Sequence, residues 1–299
     1  MLLKFIFQKN QPQRLGNFLS EHGITKQAIT DAKHHDGLIL VNKKRRHTTW
    51  LLHFGDVVYF LTGKEPVNEY LQPNFSPLVI VHETSSYLLV NKPAGLLSMP
   101  SKYNPTDSVV NRVLGYLKST GQKDARPHLV SRLDQYTSGL LLVAKNSLTH
   151  ALFAAMGKDV LVKRYQAIVH GQFLAQATAG RVVAPISQVG GTVRRTVADD
   201  GQYAATKYEV LAQTDFAARV SLQLETGRTH QIRVHMQHLG HPLYGDQLYG
   251  IEDEFDRQAL HCCSLTFPDP FTHTQKTFEI NLPADMIELW NRLEVHDDI

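Results

Sequence analysis

Short apolar runs broken by polar turns fill most of this chain, and their spacing separates strands from helices. Alternating or continuously apolar stretches predict strands at residues 1–7, 37–46, 55–61, 78–81, 87–90, 140–144, 165–169, 206–211, 218–224 and 277–281, the second of these running into a basic turn. Apolar positions three and four apart predict short helices at 14–19 and 26–32, and longer ones at 108–119, 148–156 and 230–238. Residues 71–77 contain Pro73 and Pro77 among small polar residues and read as a linker. The pattern therefore predicts two α+β parts: a small module over 1–72 and a larger domain over 73–299, built around a mixed or antiparallel sheet. Residues 188–201, with Gly190, Gly191, Arg194 and Arg195, predict an exposed basic loop or hairpin.

At 299 residues and 42% hydrophobic composition, the chain can bury a real core. Lys4 interrupts the apolar start, which is too short for a signal peptide, and no run of about 18 apolar residues exists to span a bilayer. The two cysteines, Cys262 and Cys263, are adjacent and poorly placed to bridge, which fits a reducing cytoplasm. A net charge of +3 says little about partners until its distribution is examined. Residues 1–75 hold ten Lys/Arg and six Asp/Glu, a net of +4, whereas the remaining 224 hold 21 and 22. The excess includes the run Lys43, Lys44, Arg45 and Arg46, which suits RNA phosphates but also reads as a solvated hairpin tip.

Candidate chemistry begins at Asp134, which follows Arg132 by two residues and precedes Thr137, Ser138, Gly139 and an apolar strand. A carboxylate on such a loop can face a cleft, although Asp is also a common turn residue. A second stretch, 222–246, concentrates Arg, His and Gln. His230, His235, His238 and His241 could in principle bind zinc, but their spacing is poor, no cysteine is near and Arg228 and Arg233 would repel a cation. No metal is expected. Cys262 and Cys263 beside His261 fit buried strand cysteines better than a thiol nucleophile.

Four blocks then occur in order: Lys92-Pro-Ala-Gly95; Arg132-Leu-Asp134 with Thr137, Ser138 and Gly139; Lys163-x-Tyr165-x-Ala167; and Gly227-Arg-x-His-Gln-Ile-Arg233. Together they closely resemble the RNA pseudouridine synthases of the RluA type over roughly residues 78 to 285. The resemblance implies isomerisation of a uridine in structured RNA, ribosomal or transfer, by a monomer that needs no cofactor, because the reaction has no net redox change. It makes Asp134 the nucleophile or base, Arg233 its ion-pair partner, and Tyr165 the ring that packs on the target base and takes up the C5 proton. Arg132 would help hold the base out of its stack, and Lys92, Arg228, His230 and Gln231 would contact RNA. The chain departs from the family at Ser131, where a His is usual. The competing reading is a non-catalytic RNA-binding or ribosome-assembly protein on the same fold, with Ser131 marking lost activity.

The amino-terminal part resembles the small S-four RNA-binding module through Arg14, Leu15, Phe18, Leu19, Gly37, Val41, Asn42, Gly55, Asp56 and Val58, with Gly16 where that family usually has Asp. On this resemblance Lys43, Lys44, Arg45 and Arg46 would contact RNA.

Overall fold

The computed structural model describes residues 2–157 and 160–295. The chain forms two compact units: Met1–Leu89 with Met99–Ser131 and Leu142–Gly157, and Val90–Ser98 with Arg132–Leu141 and Lys158–Ile299. The chain path passes from one unit to the other within strands Tyr87–Lys92 and Ser138–Ala144.

In the first unit, strands Leu2–Ile6, Val57–Leu61, Leu38–Val41 and Lys44–Arg45 form an antiparallel sheet in that order. Helices Leu15–Glu21 and Lys26–His34 accompany them, the second capped by Thr25, whose hydroxyl accepts from Ala28 N. Phe7, Leu15, Phe18, Leu19, Val58 and Phe60 are buried, as the alternation of the strands and the helical spacing require. Asn42 and Lys43 both take positive φ, 51° and 65°, making the tight two-residue turn that suits strand twist. Asn42 is held there by Asp56, which accepts from its Nδ2 at 2.7 Å, while its own Oδ1 accepts from Val57 N at 2.9 Å. This pair explains why an Asn strand end and a Gly-Asp turn belong to one pattern. The same unit contains Val79–Glu83 and the helices Val109–Ser119 and Ser147–Ala155, capped by Ser108 and Asn146.

The second unit is an antiparallel run of strands in the order Ala179–Val183, Ala205–Gln213, Ala217–Leu224, Val162–His170 and Leu260–Pro268, with Gln275–Glu279 also paired to the last. The strand that starts at Ser138 joins Leu260–Pro268 in parallel through Ser138↔His261 and Gly139↔Cys262, so the sheet is mixed. The fold class is α+β. Gly139 has φ 116°, and a Cβ there would overlap the Cys262 carbonyl. That close approach is the physical reason for glycine after Thr137-Ser138. Helix Ala284–Val295 lays Met286, Leu289 and Trp290 against Ile168, Ala217, Tyr244 and Ala259.

Most predicted elements are present with ends shifted by a few residues. The loop or hairpin expected over 188–201 is a hairpin over Ile186–Val197, Ile186–Gln188 pairing with Arg195–Val197. Among the described elements of five or more residues, strand Ala179–Val183 and helix Ala284–Val295 were not expected, and strand Leu260–Pro268 was anticipated only at its two cysteines. No helix among the described residues is long and apolar enough to cross a membrane.

Candidate active site

Asp134 begins a tight turn closed by Thr137 N donating to its carbonyl at 3.2 Å. Buried partners on both sides fix this turn. Ser98 Oγ donates to Leu133 O at 2.7 Å, Gln258 Nε2 donates to Thr137 Oγ1 at 3.1 Å, and Lys92 Nζ donates to Gln135 O at 2.7 Å. The Asp134 carboxylate itself accepts no hydrogen bond among the described residues. Its side chain is 23% exposed and opens into a cavity of about 90 Å³ lined also by Arg132, Lys163, Tyr165, His230 and Arg233.

Arg233 comes from helix Gln231–His238 and is almost fully buried. Its Nη1 lies 3.6 Å from Asp134 Oδ2, an ion pair too long for a hydrogen bond. The expected meeting of the two residues is therefore present, but Asp134 is the weaker partner. Arg233 donates through Nε and Nη2 to Asp246, at 2.6 and 2.7 Å, and that buried carboxylate also accepts from Leu248 N and Tyr249 N. Burial opposes the guanidinium charge, and the Asp246 hydrogen bonds more than offset it, holding its pKa above the ordinary value. Asp246 lies in the Arg- and His-rich stretch, yet nothing in the sequence singles it out as a partner.

Tyr165 is 4% exposed and borders the same cavity. Burial, then the neighbouring Cys262 and Asp134, hold its phenol well above the ordinary pKa, so at neutral pH it stays protonated. Burial likewise pushes the Cys262 thiol up to about 12, which leaves no thiolate nucleophile there. Lys163, the first residue of the Lys-x-Tyr block, also lines the cavity, and burial lowers its pKa. It was not among the expected site residues, although its place in that block was the available signal.

The proposed RNA contacts divide sharply by exposure. Arg132 is exposed, tied by one hydrogen bond from Nη2 to Thr229 Oγ1 at 3.2 Å. Arg228 is half-buried and donates from Nε to Tyr203 O at 2.9 Å. His230 precedes its helix in the left-handed region, with φ 58°, and its Nδ1 lies 2.9 Å from Tyr249 Oη. Burial lowers its pKa against the pull of Asp134, favouring the neutral ring.

Two expectations need correction. Lys92 has no exposed surface, and its Nζ donates to Pro93 O, Leu96 O and Gln135 O, so it ties loops together and has nothing to offer RNA. Gln231 is buried with its amide fully bonded: Nε2 donates to Ala205 O and Thr206 Oγ1, while Oε1 accepts from Thr226 Oγ1 and Arg228 N. Ring nitrogens elsewhere in the histidine group are similarly engaged, His235 with Thr206 Oγ1 and Ala184 O, and His241 with His170 O. Among the described residues no group of three or more His, Cys, Asp or Glu is arranged to hold a metal ion.

In the first unit, Lys43, Lys44 and Arg45 are exposed at the Asn42–Lys43 turn and make no ion pair among the described residues. Arg46 differs, because its guanidinium stacks 3.9 Å over the half-exposed Trp50 ring. Ser131, at the family's usual His position, is buried, and its hydroxyl accepts from Leu142 N.

Comparison with known proteins bears on this arrangement. A family model described as RNA pseudouridylate synthase matches residues 86–238. An uncharacterized RNA pseudouridine synthase of Bacillus subtilis, YjbO, is 42% identical over 275 residues, 91% of this chain and 96% of the relative. Ribosomal large subunit pseudouridine synthase D of Yersinia pestis is 38% identical over 242 residues, 74% of this chain and 72% of the relative. Among solved structures, human RNA pseudouridylate synthase domain containing 4 matches in fold with a TM-score of 0.61 and 24% identity, covering 72% of this chain and 93% of that one.

Proposed function

This chain belongs to the RNA pseudouridylate synthase family, of the RluA type, and on that premise we propose that Asp134 starts the isomerisation of a flipped-out uridine in ribosomal RNA. The observation that carries the assignment is a carboxylate that accepts no hydrogen bond among the described residues. Asp134 faces a cavity with a guanidinium 3.6 Å away that neutralises charge without taking up its lone pairs, since Asp246 holds that guanidinium in place. An ionised carboxylate so placed can attack.

The reaction breaks the N1–C1′ bond, turns the base over and joins C5 to C1′; the C5 proton leaves and N1 regains one. No electron acceptor, hydrolytic water or cofactor is needed for that balance. Tyr165 supplies a ring face for the uracil; its phenol, kept protonated by burial, can donate a hydrogen bond to the base but is not poised as it stands to take up the C5 proton. Arg132 is exposed beside the cavity, where it suits the strand that the base leaves.

Residues 1–72 are read as an S-four-like RNA-binding module, supported by Lys43, Lys44 and Arg45, which are free of ion pairs among the described residues and sit at a tight turn. We place the enzyme in the cytoplasm as a monomer. Ribosomal RNA is favoured over transfer RNA as substrate by the similarity to ribosomal large subunit pseudouridine synthases. Mapping pseudouridines in RNA from cells with and without this chain tests the reading. A site in ribosomal RNA should disappear and return with the wild-type chain but not with Asp134→Asn; an unchanged map overturns it.

A further inference from the structure

Asp134, His230 and Arg233 border a second cavity as well, of about 210 Å³, which Tyr165 does not line. We propose that this cavity receives the base of a nucleotide adjoining the target uridine, and that it selects bases carrying an exocyclic amino group. The inference rests on the reading of the Asp134 cavity as the uridine site.

Four side chains carry it. Tyr136, two residues after Asp134, is 46% exposed and its phenol makes no hydrogen bond among the described residues, leaving an aromatic face for stacking. Val193, at the tip of the hairpin over Gln188–Arg195, is 68% exposed and supplies an apolar surface to the same cavity. Exposed Gln247 and Asp256 line it too, and neither side chain makes a hydrogen bond or ion pair among the described residues. An amide and a carboxylate together offer a base edge several acceptors and one pair of donors.

Charge decides which part of a nucleotide fits. Both cations in the wall are occupied: Arg233 by Asp246, and Arg257 by Asp285, to which its Nε and Nη2 donate at 2.6 and 3.0 Å. The Asp134 carboxylate, faced by Arg233 at 3.6 Å but with its oxygens free of hydrogen bonds among the described residues, and the Asp256 carboxylate remain as acceptors, so the wall offers a phosphate no available arginine while an amino-bearing base edge finds partners. Uracil, which has no amino group, is the base this wall accepts least. A flanking nucleotide held here would also keep the strand splayed while its neighbour sits at Asp134.

The test uses the full chain and a synthetic stem–loop carrying the mapped uridine, with each immediate neighbour replaced in turn by an abasic residue or by uridine. For one neighbour, both replacements should lower the single-turnover kcat/KM of the wild-type enzyme about tenfold, the size expected from removing one base stack. Tyr136→Ala and Gln247→Ala should each lower kcat/KM on the unmodified stem–loop, and combining either with the abasic RNA should add less than about a further twofold reduction. Tyr136→Phe keeps the ring and should keep the full discrimination. If the wild-type enzyme ignores both neighbours, or if the effects of variant and abasic RNA multiply independently, the second site is refuted. Failure of the wild-type enzyme to isomerise any uridine would refute instead the reading on which the site rests.

Discussion

The Asp134 cavity and the Lys43–Arg46 turn treat charge in opposite ways. Around Asp134 nearly every ionic or polar group is held by another: Arg233 by Asp246, Lys92 by three carbonyls, His230 by Tyr249. At the turn, Lys43, Lys44 and Arg45 are exposed to solvent with no ion-pair partner among the described residues. Chemistry needs a group fixed to within a fraction of an ångström in a place shielded from water, so its supporting charges are buried and mutually satisfied. Attraction to a phosphate backbone needs charge alone, and exposed side chains provide it.

The largest effect that can break this contrast is at Asp134. Asp134→Asn keeps the shape and removes the charge; turnover should fall by at least on the order of 10³-fold, while unfolding free energy in urea shifts by less than about 0.5 kcal/mol because the carboxylate accepts no hydrogen bond among the described residues. Residual turnover above a few per cent would remove Asp134 from the mechanism. Asp246→Ala should act on stability as well as turnover, costing roughly 3–5 kcal/mol by leaving the Arg233 charge buried without its bidentate partner. Arg233→Lys keeps a charge but cannot reproduce the planar fork, so urea unfolding should place it between Asp246→Ala and wild type.

Lys43, Lys44 and Arg45 changed together to Ala should flatten the dependence of log affinity on log salt by about 0.7 to 0.9 for each phosphate no longer neutralised, with affinity affected far more than turnover at saturating RNA. Arg46→Ala alone should instead cost about 0.5–1 kcal/mol of stability, since it stacks on Trp50. An unchanged salt slope in the triple variant would make this turn a solvated tip and no more.

An effect visible only against pH concerns Lys92, whose pKa burial pushes down to about 7, with Asp134 opposing the shift. An unfolded lysine keeps its proton up to about pH 10.4. Between those values the unfolded chain binds more protons than the folded one, so this residue makes the fold more stable as pH rises through 7 and less stable below it. From about pH 6 to 8 the gain should be roughly 1 kcal/mol, and Lys92→Met should lack it in urea titrations at the two pH values. Equal slopes would mean that the three carbonyl acceptors keep Lys92 charged throughout.

Much of this was legible in the chain. The alternation of residues 218–224 and the helical spacing of 108–119 appear as expected because each buries one face, and burial of one face leaves a periodic trace. Strand Leu260–Pro268 left no such period, only its adjacent cysteines. It is buried on both faces and carries His261 and Ser264 inside, His261 Nδ1 lying 2.8 Å from Ser138 Oγ. Polar residues satisfied by a distant strand look like a loop when read locally. Helix Ala284–Val295 buries Met286, Leu289 and Trp290 and exposes most of the rest, too narrow a stripe to stand out.

The sequence by itself determined the family, the α+β class, the candidates Asp134, Tyr165 and Arg233, and the basic turn, because each depends on residue type at fixed local spacing. Tertiary structure decided which polar groups remain available. Lys92 and Gln231 look like RNA ligands in the chain and are fully engaged inside the fold; Asp246, unremarked in the chain, holds the arginine that faces the Asp134 carboxylate. A side chain's chemistry is set by its residue type, but whether its lone pairs and protons are free for a substrate depends on partners far off in sequence, 13 residues away for Arg233 with Asp246 and 43 for Lys92 with Gln135. Local patterns carry no record of those partners.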